Sequence, residues 1–473
     1  MNAQPVESTQ GPPPSTEPRL DEGALLASAQ AHIFRASMDA KELTGPILER
    51  GAGSVVWDIT GKAYLDFNSG QMCSALGHNH PRIVEAIREA SQTLIHASSS
   101  LLNVKQIRLA ETLASTVPAP LQKSFFLLSG SDANEAALAV AKKYTGRFEV
   151  ASPHTSFHGL SEAARAVTFT GWHQGYGPYP AGTYGMLAPY CYRCPVQHTF
   201  PQCEFACLKA SFELLDAECA APPAAVITEP LFSAGGVIEP PVGWLPALKR
   251  MCEARGALLV LDEAQTGLAK LGTMWAFERE GVIPDVLTVS KHFGGGMTIS
   301  AVVTSAEIEA VVAARNFVFM HSHTADPLAC GAGLASLELI LEEKLWERAA
   351  QLGDYWQGHL RRLAGRYELI GDVRGRGLIQ GVELVWDRER KTPAFEAGPQ
   401  IAQFCLEKGL LCSVRRGGSV LRFVPPFTTT EGQFDAAAET LEGAIRAVIA
   451  PRPMTPGERG KEFRGSRRPQ FAV

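Results

Sequence analysis

The chain has 473 residues, a formal charge of −5 and a pI near 6.2, with 45% hydrophobic and 20% charged residues. That length suits two to four structural units of an ordinary soluble protein. The balance of charge gives no general reason to bind nucleic acid or an acidic membrane, and there is no run of about 18 uncharged apolar residues to span a bilayer. The first 20 residues, "MNAQPVESTQGPPPSTEPRL", carry prolines and acids rather than a basic start and an apolar core. They do not read as a secretory signal, and the chain is expected to be cytoplasmic. Residues 1–25 and the basic stretch 451–473 are rich in Pro, Gly and polar residues. Both are expected to be disordered tails, because they cannot bury enough apolar surface to offset ordering entropy.

Between the tails, short apolar runs alternate with helical patterns. "SFFLL" (124–128) reads as a buried strand, followed by the helix-forming "SGSDANEAALAVAKKYTG". "AAVITEP" (224–230) is a second strand, and "PALKRMCEARG" (246–256) a helix stopped by Gly256. "ALLVLDEAQTG" (257–267), "DVLTVSK" (285–291) and "SAVVTS" (300–305) complete the strands. Strands alternating with helices predict an α/β fold with a mainly parallel sheet, and such sheets bind ligands at the carboxyl ends of their strands.

Three groups then fall on common ground. Gly130 and Ser131 lie where the first strand turns into a helix, whose free N–H groups and dipole suit a phosphate; most such helix starts bind only water. Asp262 ends the strongest apolar strand, where a carboxylate needs a partner: it either caps the next segment or faces a protonated ring nitrogen. Gln265 could hydrogen-bond a phenolic oxygen or simply satisfy backbone. Lys291 follows "TVS" and precedes three glycines. A lysine at a strand end ordinarily points to solvent, but one held in a partly buried site has a lowered pKa and can form a Schiff base. Anion site, ring-nitrogen acid and Schiff-base lysine together are the parts a pyridoxal 5′-phosphate (PLP) site needs.

The stretch "LLVLDEAQTGLAKLGTMWAFEREGVIPDVLTVSKHFGGGM" resembles the signature of class III PLP-dependent aminotransferases, and the likeness extends over roughly residues 45–448. The resemblance implies fold type I, with a large mainly parallel-sheet domain and a smaller α+β domain built from both chain ends. Expected boundaries are 26–80 and 341–450 for the small domain and 81–340 for the PLP-binding domain. A homodimer or dimer of dimers with sites at the interface is implied, acting on an amino acid and a 2-oxo acid. Lys291 then carries the cofactor, with the glycines letting the chain fold close to it. Gly130 and Ser131 cradle its phosphate, Asp262 pairs its ring nitrogen, and Gln265 sits beside the ring hydroxyl. Arg422 in "LRFVPP" receives a substrate carboxylate, and Ser322 in "HSHTADP" reaches the phosphate of a neighbouring subunit.

Within that class, "LDFNSGQMCSALGHNHP", "EPLFSAGGVIEPPVGW", "GDVRGRGL" and "LRFVPPFT" are similar to the 2,2-dialkylglycine decarboxylases. This implies decarboxylation-dependent transamination, with Gln71 contacting the carboxylate that leaves. Two departures weigh the other way: Phe157 and Ala234 stand where those enzymes have Trp and Ser. Phe157 can still stack on the ring. His158 beside it is either a site wall or a packed neutral histidine. The alternative is transamination or epimerisation of an amino acid or amine without loss of CO2. A third reading, a PLP-fold sensor or scaffold without catalysis, would leave the Lys291–Asp262–Gln265–Arg422 set superfluous.

Ten cysteines are present, and "CYRCPVQHTFPQCEFAC" places Cys191, Cys194, Cys203 and Cys207 in an insertion at 190–208. The spacing resembles a tetrahedral metal site, with structural zinc as the candidate ion and reduced thiols or redox pairs as alternatives.

Overall fold

The computed structural model describes residues 21–34, 45–171, 173 and 175–450. Residues 1–20 and 451–473 of the expected tails lie outside the described residues, while a helix capped by the Asp21 carboxylate begins at Glu22, inside the expected N-terminal tail.

Seven strands form the central sheet: β1 (Leu121–Leu127), β2 (Val150–Pro153), β3 (Thr183–Met186), β4 (Ala225–Thr228), β5 (Leu258–Asp262), β6 (Val286–Val289) and β7 (Ser300–Ser305). Their spatial order is β1-β7-β6-β5-β4-β2-β3. β7 runs antiparallel to both neighbours, and the other strands share one direction. Every residue of β4, β5 and β6 is buried, as continuous apolar runs in the middle of a parallel sheet should be. The shared direction brings the carboxyl ends of β1, β2, β4, β5 and β6 to one edge, where a ligand crevice is expected.

Two smaller sheets flank this one. The strand Ala63–Asp66 pairs in parallel with Leu410–Leu411, so segments nearly 350 residues apart close one sheet. The other contains Ile370–Arg376, Ile379–Asp387, Ser413–Arg415 and Val420–Phe423. Phe67, Trp356, Phe423 and Phe434 interlock here, with Trp356 meeting Phe67 and Phe423 edge-on at 5.5 and 5.3 Å. Aromatic edge contacts of this kind add about 0.5–1.5 kcal/mol beyond area burial, and they bind the N-terminal turn to the C-terminal helices. The architecture is that of the fold type I PLP-dependent transferases.

Candidate active site

A cavity of about 160 Å³ opens at the carboxyl ends of the strands. Its walls include Gly130, Ser131, Phe157, His158, Glu229, Asp262, Gln265 and Lys291. Seven of the residues singled out in the sequence therefore share one space: Gly130, Ser131, Phe157, His158, Asp262, Gln265 and Lys291.

The helix Gly130–Thr145 starts at Ser129, whose hydroxyl accepts from the Asp132 N–H while the Asp132 carboxylate accepts from the Ser129 N–H. This capping box occupies the third N–H of the helix. The Gly130 and Ser131 N–H groups remain as the orphan donors of a helix start and line the cavity. Gly159 closes the cradle: a Cβ there would stand 2.1 Å from Ser131 Oγ, at a φ of +132° that side chains rarely adopt. A phosphate fits the donors and the shape of this corner.

Asp262 ends β5 and is 4% exposed. Its Oδ2 accepts from Asn134 Nδ2 and from His158 Nδ1, each at 2.8 Å, and its Oδ1 accepts from the Ala264 N–H at 3.0 Å. Thr288 Oγ1 donates to Asn134 Oδ1 at 2.7 Å and so fixes which way that amide points. Burial opposes the charge on Asp262, but the His158 hydrogen bond, the Ala264 N–H and the Lys291 charge outweigh it and hold the pKa below the ordinary carboxylate value. A carboxylate kept ionised beside an open cavity suits a cationic ring nitrogen. His158 is thus neither bare wall nor idle core: it supports Asp262, and its Nε2 lies 3.2 Å from Ser152 Oγ.

Lys291 comes two residues after β6 and opens a short turn at a φ of +57°. Burial pushes its ammonium pKa down, against the pull of Asp262, Cys73 and Glu229. An amine that sheds its proton readily is what carbonyl chemistry requires. Gly294 and Gly295, the first two glycines of the run, serve packing rather than the cavity. A Cβ on Gly295 would meet Ser336 Oγ at 2.8 Å and Ile83 at 2.9 Å, so the turn presses on the helix Pro327–Glu342, and none of Gly294, Gly295 and Gly296 is among the cavity walls.

Glu229, which follows β4, was not singled out in the sequence. Its carboxyl group accepts from the Phe157 N–H at 2.9 Å and the Ser233 N–H at 3.2 Å, clamping two cavity loops together. Burial, with Asp262 nearby, pushes its pKa up to about 8. Its signal was legible: like Asp262, it is an acid at the carboxyl end of a short buried strand. Asn134 and Thr288 had no such signal, being polar residues at ordinary helix and strand positions.

Arg422 is 3% exposed on Val420–Phe423 and reaches the cavity wall, its NH1 donating to Ser233 Oγ and Gln265 Oε1 at 3.3 Å each. Two expected residues are not brought in. Gln71 is exposed in the turn after Phe67 and is not among the cavity walls; Cys73, two residues on, is the one whose charge couples to Lys291. Ser322 is exposed and lies outside its own chain's cavity.

The candidate zinc cage draws no support. All four cysteines of the insertion are free thiols, and among the described residues no three of their sulfurs converge to metal-ligand distance. Burial, with Cys194, Cys191 and Cys203 nearby, pushes the Cys207 thiol up to about 11. The insertion is held instead by Tyr190 and Arg193, both bonded to Glu383.

Residues 37–445 match the family model "Aminotransferase class-III". The chain belongs to the class III aminotransferase family. An uncharacterized aminotransferase of Schizosaccharomyces pombe is 39% identical over 89% of this chain and 92% of its own length. A leucine/methionine racemase of Thermococcus litoralis is 37% identical over 83% of this chain and 89% of its own. Among solved structures, a PLP-bound amine transaminase from an uncultivated Pseudomonas species superposes with a TM-score of 0.82 at 28% identity, covering 88% of this chain and 98% of that one. Class III aminotransferases use PLP. The helix-start cradle, the ionised Asp262 and the readily deprotonated Lys291 all fit it.

Proposed function

We propose that this class III aminotransferase moves the amino group of an α-amino acid to a 2-oxo acid, with no loss of CO2 as its main reaction. The observation that carries the reading is the joining of Arg422 to Gln265 and Ser233 at the wall of the cavity that holds Lys291 and Asp262. A guanidinium held there can receive an α-carboxylate through two parallel hydrogen bonds, which sets the substrate's Cα towards Lys291.

When bound, PLP supplies the electron sink for charge developing at the substrate Cα. Gly130 and Ser131 would hold its phosphate, Asp262 the proton on its ring nitrogen, and Gln265 its ring hydroxyl. Phe157 would cover a ring face, and Glu229 fixes that residue by its N–H. Lys291 Nζ, neutral more readily than an ordinary lysine, takes the proton from the substrate Cα and returns it elsewhere. Returning it to the same carbon from the other face would racemise, as the Thermococcus relative's name describes.

Decarboxylation draws less support, because Gln71 is exposed and outside the cavity walls, and Phe157 and Ala234 depart from the decarboxylase pattern. A homodimer draws support from the exposed apolar side chains Leu101, Leu102, Val104, Val318 and Met320.

The test is a donor screen of the PLP form without any keto acid, following the cofactor spectrum and released CO2. Conversion by ordinary α-amino acids without CO2 is expected. CO2 released from 2-aminoisobutyrate, with conversion to the amine form, would overturn the reading in favour of decarboxylation. Lys291→Ala should abolish turnover and the visible absorbance of the bound cofactor; survival of that absorbance would remove Lys291 from its role.

A further inference from the structure

Outside the active site, two imidazoles and a carboxylate converge. His96 Nδ1 lies 2.6 Å from Asp326 Oδ1, and His323 Nδ1 lies 2.6 Å from Asp326 Oδ2. The two rings are 5.0 Å apart between centroids. One donor atom from each of the three residues falls within 4.8 Å of the others. Asp326 is 14% exposed at its side chain, whereas the imidazoles are 46% and 60% exposed.

The carboxylate has an ordinary local use that it does not take. Asp326 is the N-cap residue of the helix Pro327–Glu342, where an Asp usually accepts from a first-turn N–H, yet its side chain makes no such bond. It turns instead to the two histidines, which come from segments far apart in sequence. Those segments are tied together independently: the Leu328 N–H donates to the Ile95 carbonyl at 3.4 Å, and Asn103 Nδ2 to the Ala325 carbonyl at 2.9 Å. The two segments are therefore held side by side by one backbone bond and one Asn103 side-chain bond in addition to the His–Asp contacts.

We infer that His96, His323 and Asp326 form a binding site for a divalent transition metal of the zinc class. Two imidazole nitrogens and one carboxylate are the donors that zinc, cobalt, nickel and copper prefer, and that magnesium and calcium avoid. The ion takes the place of the two Nδ1 hydrogens that face the carboxylate; in each neutral imidazole that hydrogen moves to Nε2, so both rings ligate as the Nε2–H tautomer. Bonds of about 2.0–2.2 Å put ligand atoms roughly 3.3 Å apart, so each 2.6 Å contact has to open by less than about 1 Å. Three protein ligands leave further positions for water. The inference does not rest on the amine-transfer reading and stands or falls apart from it.

The experiment is a Co2+ titration of the full-length PLP-loaded protein, stripped of metal, in its native assembly, followed by visible absorbance and by metal retained per chain. One ion per chain is expected, with a nitrogen–oxygen ligand spectrum and no thiolate charge-transfer band in the near ultraviolet. His96→Gln and His323→Gln should each weaken binding by roughly tenfold or more, since even partners outside a coordination shell cost 10–100-fold. Both side chains are exposed, so the fold is expected to survive, and an unchanged thermal midpoint without metal checks it. Binding that is equal in both variants to that of the unmodified protein, a thiolate band pointing to the Cys191–Cys207 segment, or no saturable binding by the unmodified protein would each overturn the site and leave two plain His–Asp hydrogen bonds.

Discussion

Asp262 and Glu383 are both buried carboxylates on inner strands, and they are compensated by different kinds of partner. Glu383 sits among Arg193, Arg374 and the Tyr190 hydroxyl, and Arg374 is shared with Asp372 at 2.8 Å. Burial opposes its charge, but the guanidinium of Arg374, the Tyr190 hydroxyl and Arg193 hold its pKa below the ordinary value. Its charge is met on every side by the chain itself. Asp262 is also kept ionised, but its direct hydrogen bonds come from an amide, an imidazole and a backbone N–H. Those groups include one imidazole and no guanidinium, where Glu383 has two guanidinium partners, and the cavity lies beside Asp262. A buried carboxylate fully paired with arginine is architecture. One supported by amide and imidazole donors at a cavity wall retains attraction for a ligand cation.

The sharpest way to break this contrast is to neutralise each acid at constant shape. Asp262→Asn should lower kcat by about 10²–10³-fold, the range for removing one preorganised electrostatic contact. Its stability cost should be of order 1–3 kcal/mol, because an amide nitrogen must now face one of the existing donors. Glu383→Gln should do the reverse. Leaving guanidinium charge buried without its partner costs about 3–5 kcal/mol, while kcat stays within about twofold, as expected for a change away from the reacting atoms. Steady-state rates and urea unfolding of both variants decide it. A Glu383 variant that unfolds normally but loses its rate would erase the distinction.

Arg422 sharpens the comparison from the cationic side. It is buried where Arg374 is only part-buried, and it donates to serine and glutamine oxygens, two of them, on Ser233 and Gln265, by the cavity. Arg422→Lys keeps the charge and loses the fork, so kcat/KM for α-amino acids should fall roughly 10–100-fold, mostly through KM. An unchanged KM would place the substrate carboxylate elsewhere.

Glu229 is the intermediate case, a cavity-wall carboxyl that accepts from backbone N–H groups and has its pKa pushed up to about 8 by burial and Asp262. Between its ordinary value of 4.5 and about 8, the folded state holds a proton that the unfolded state has released. Stability from this group is therefore fully present below the ordinary value and declines as pH rises towards the folded pKa. Glu229→Gln removes the titration. Its stability relative to the unmodified protein should improve by about 1 kcal/mol or more from roughly pH 5 to pH 8.5, read as denaturation midpoints. A constant difference across that window would mean that Glu229 is ionised throughout.

The parts that the sequence made legible are those whose physics is local. The run LLVLD can only be an inner strand, and Asp262 at its end, Lys291 beside the glycines and the Ser129–Asp132 helix start all sit within a few residues of such runs. The hidden parts depend on contacts between distant segments. Thr288 orders Asn134 across the sheet, Arg193 reaches Glu383 from an insertion, and His96 meets Asp326 where a backbone bond and an Asn103 side-chain bond join two distant segments. The glycines after Lys291 were legible as a close approach, but not its partner: Gly295 admits Ser336 and Ile83, and Gly294 admits Ile299. The cysteine spacing suggested a cage that the fold does not close, because Cys191 is on a short turn and Cys207 already in the helix Ala206–Glu218.

Gln71 gives the smallest expected effect and tests the comparison at its edge. If charge and donors matter only where they line the cavity, an exposed amide in the turn after Phe67 should be nearly silent. Gln71→Ala is expected to change amine transfer by less than about twofold, within the range of surface substitutions. The result discriminates because the decarboxylase pattern demands otherwise: there, a donor at this position holds the departing carboxylate where its bond can break. A variant that loses CO2 release while keeping amine transfer would mean that the turn carrying Gln71 closes over the substrate when it binds. Equal, slight changes in both would leave Cys73 as the residue of this turn nearest in charge to Lys291, and the selection of which bond breaks would then fall to Arg422 and Lys291 alone.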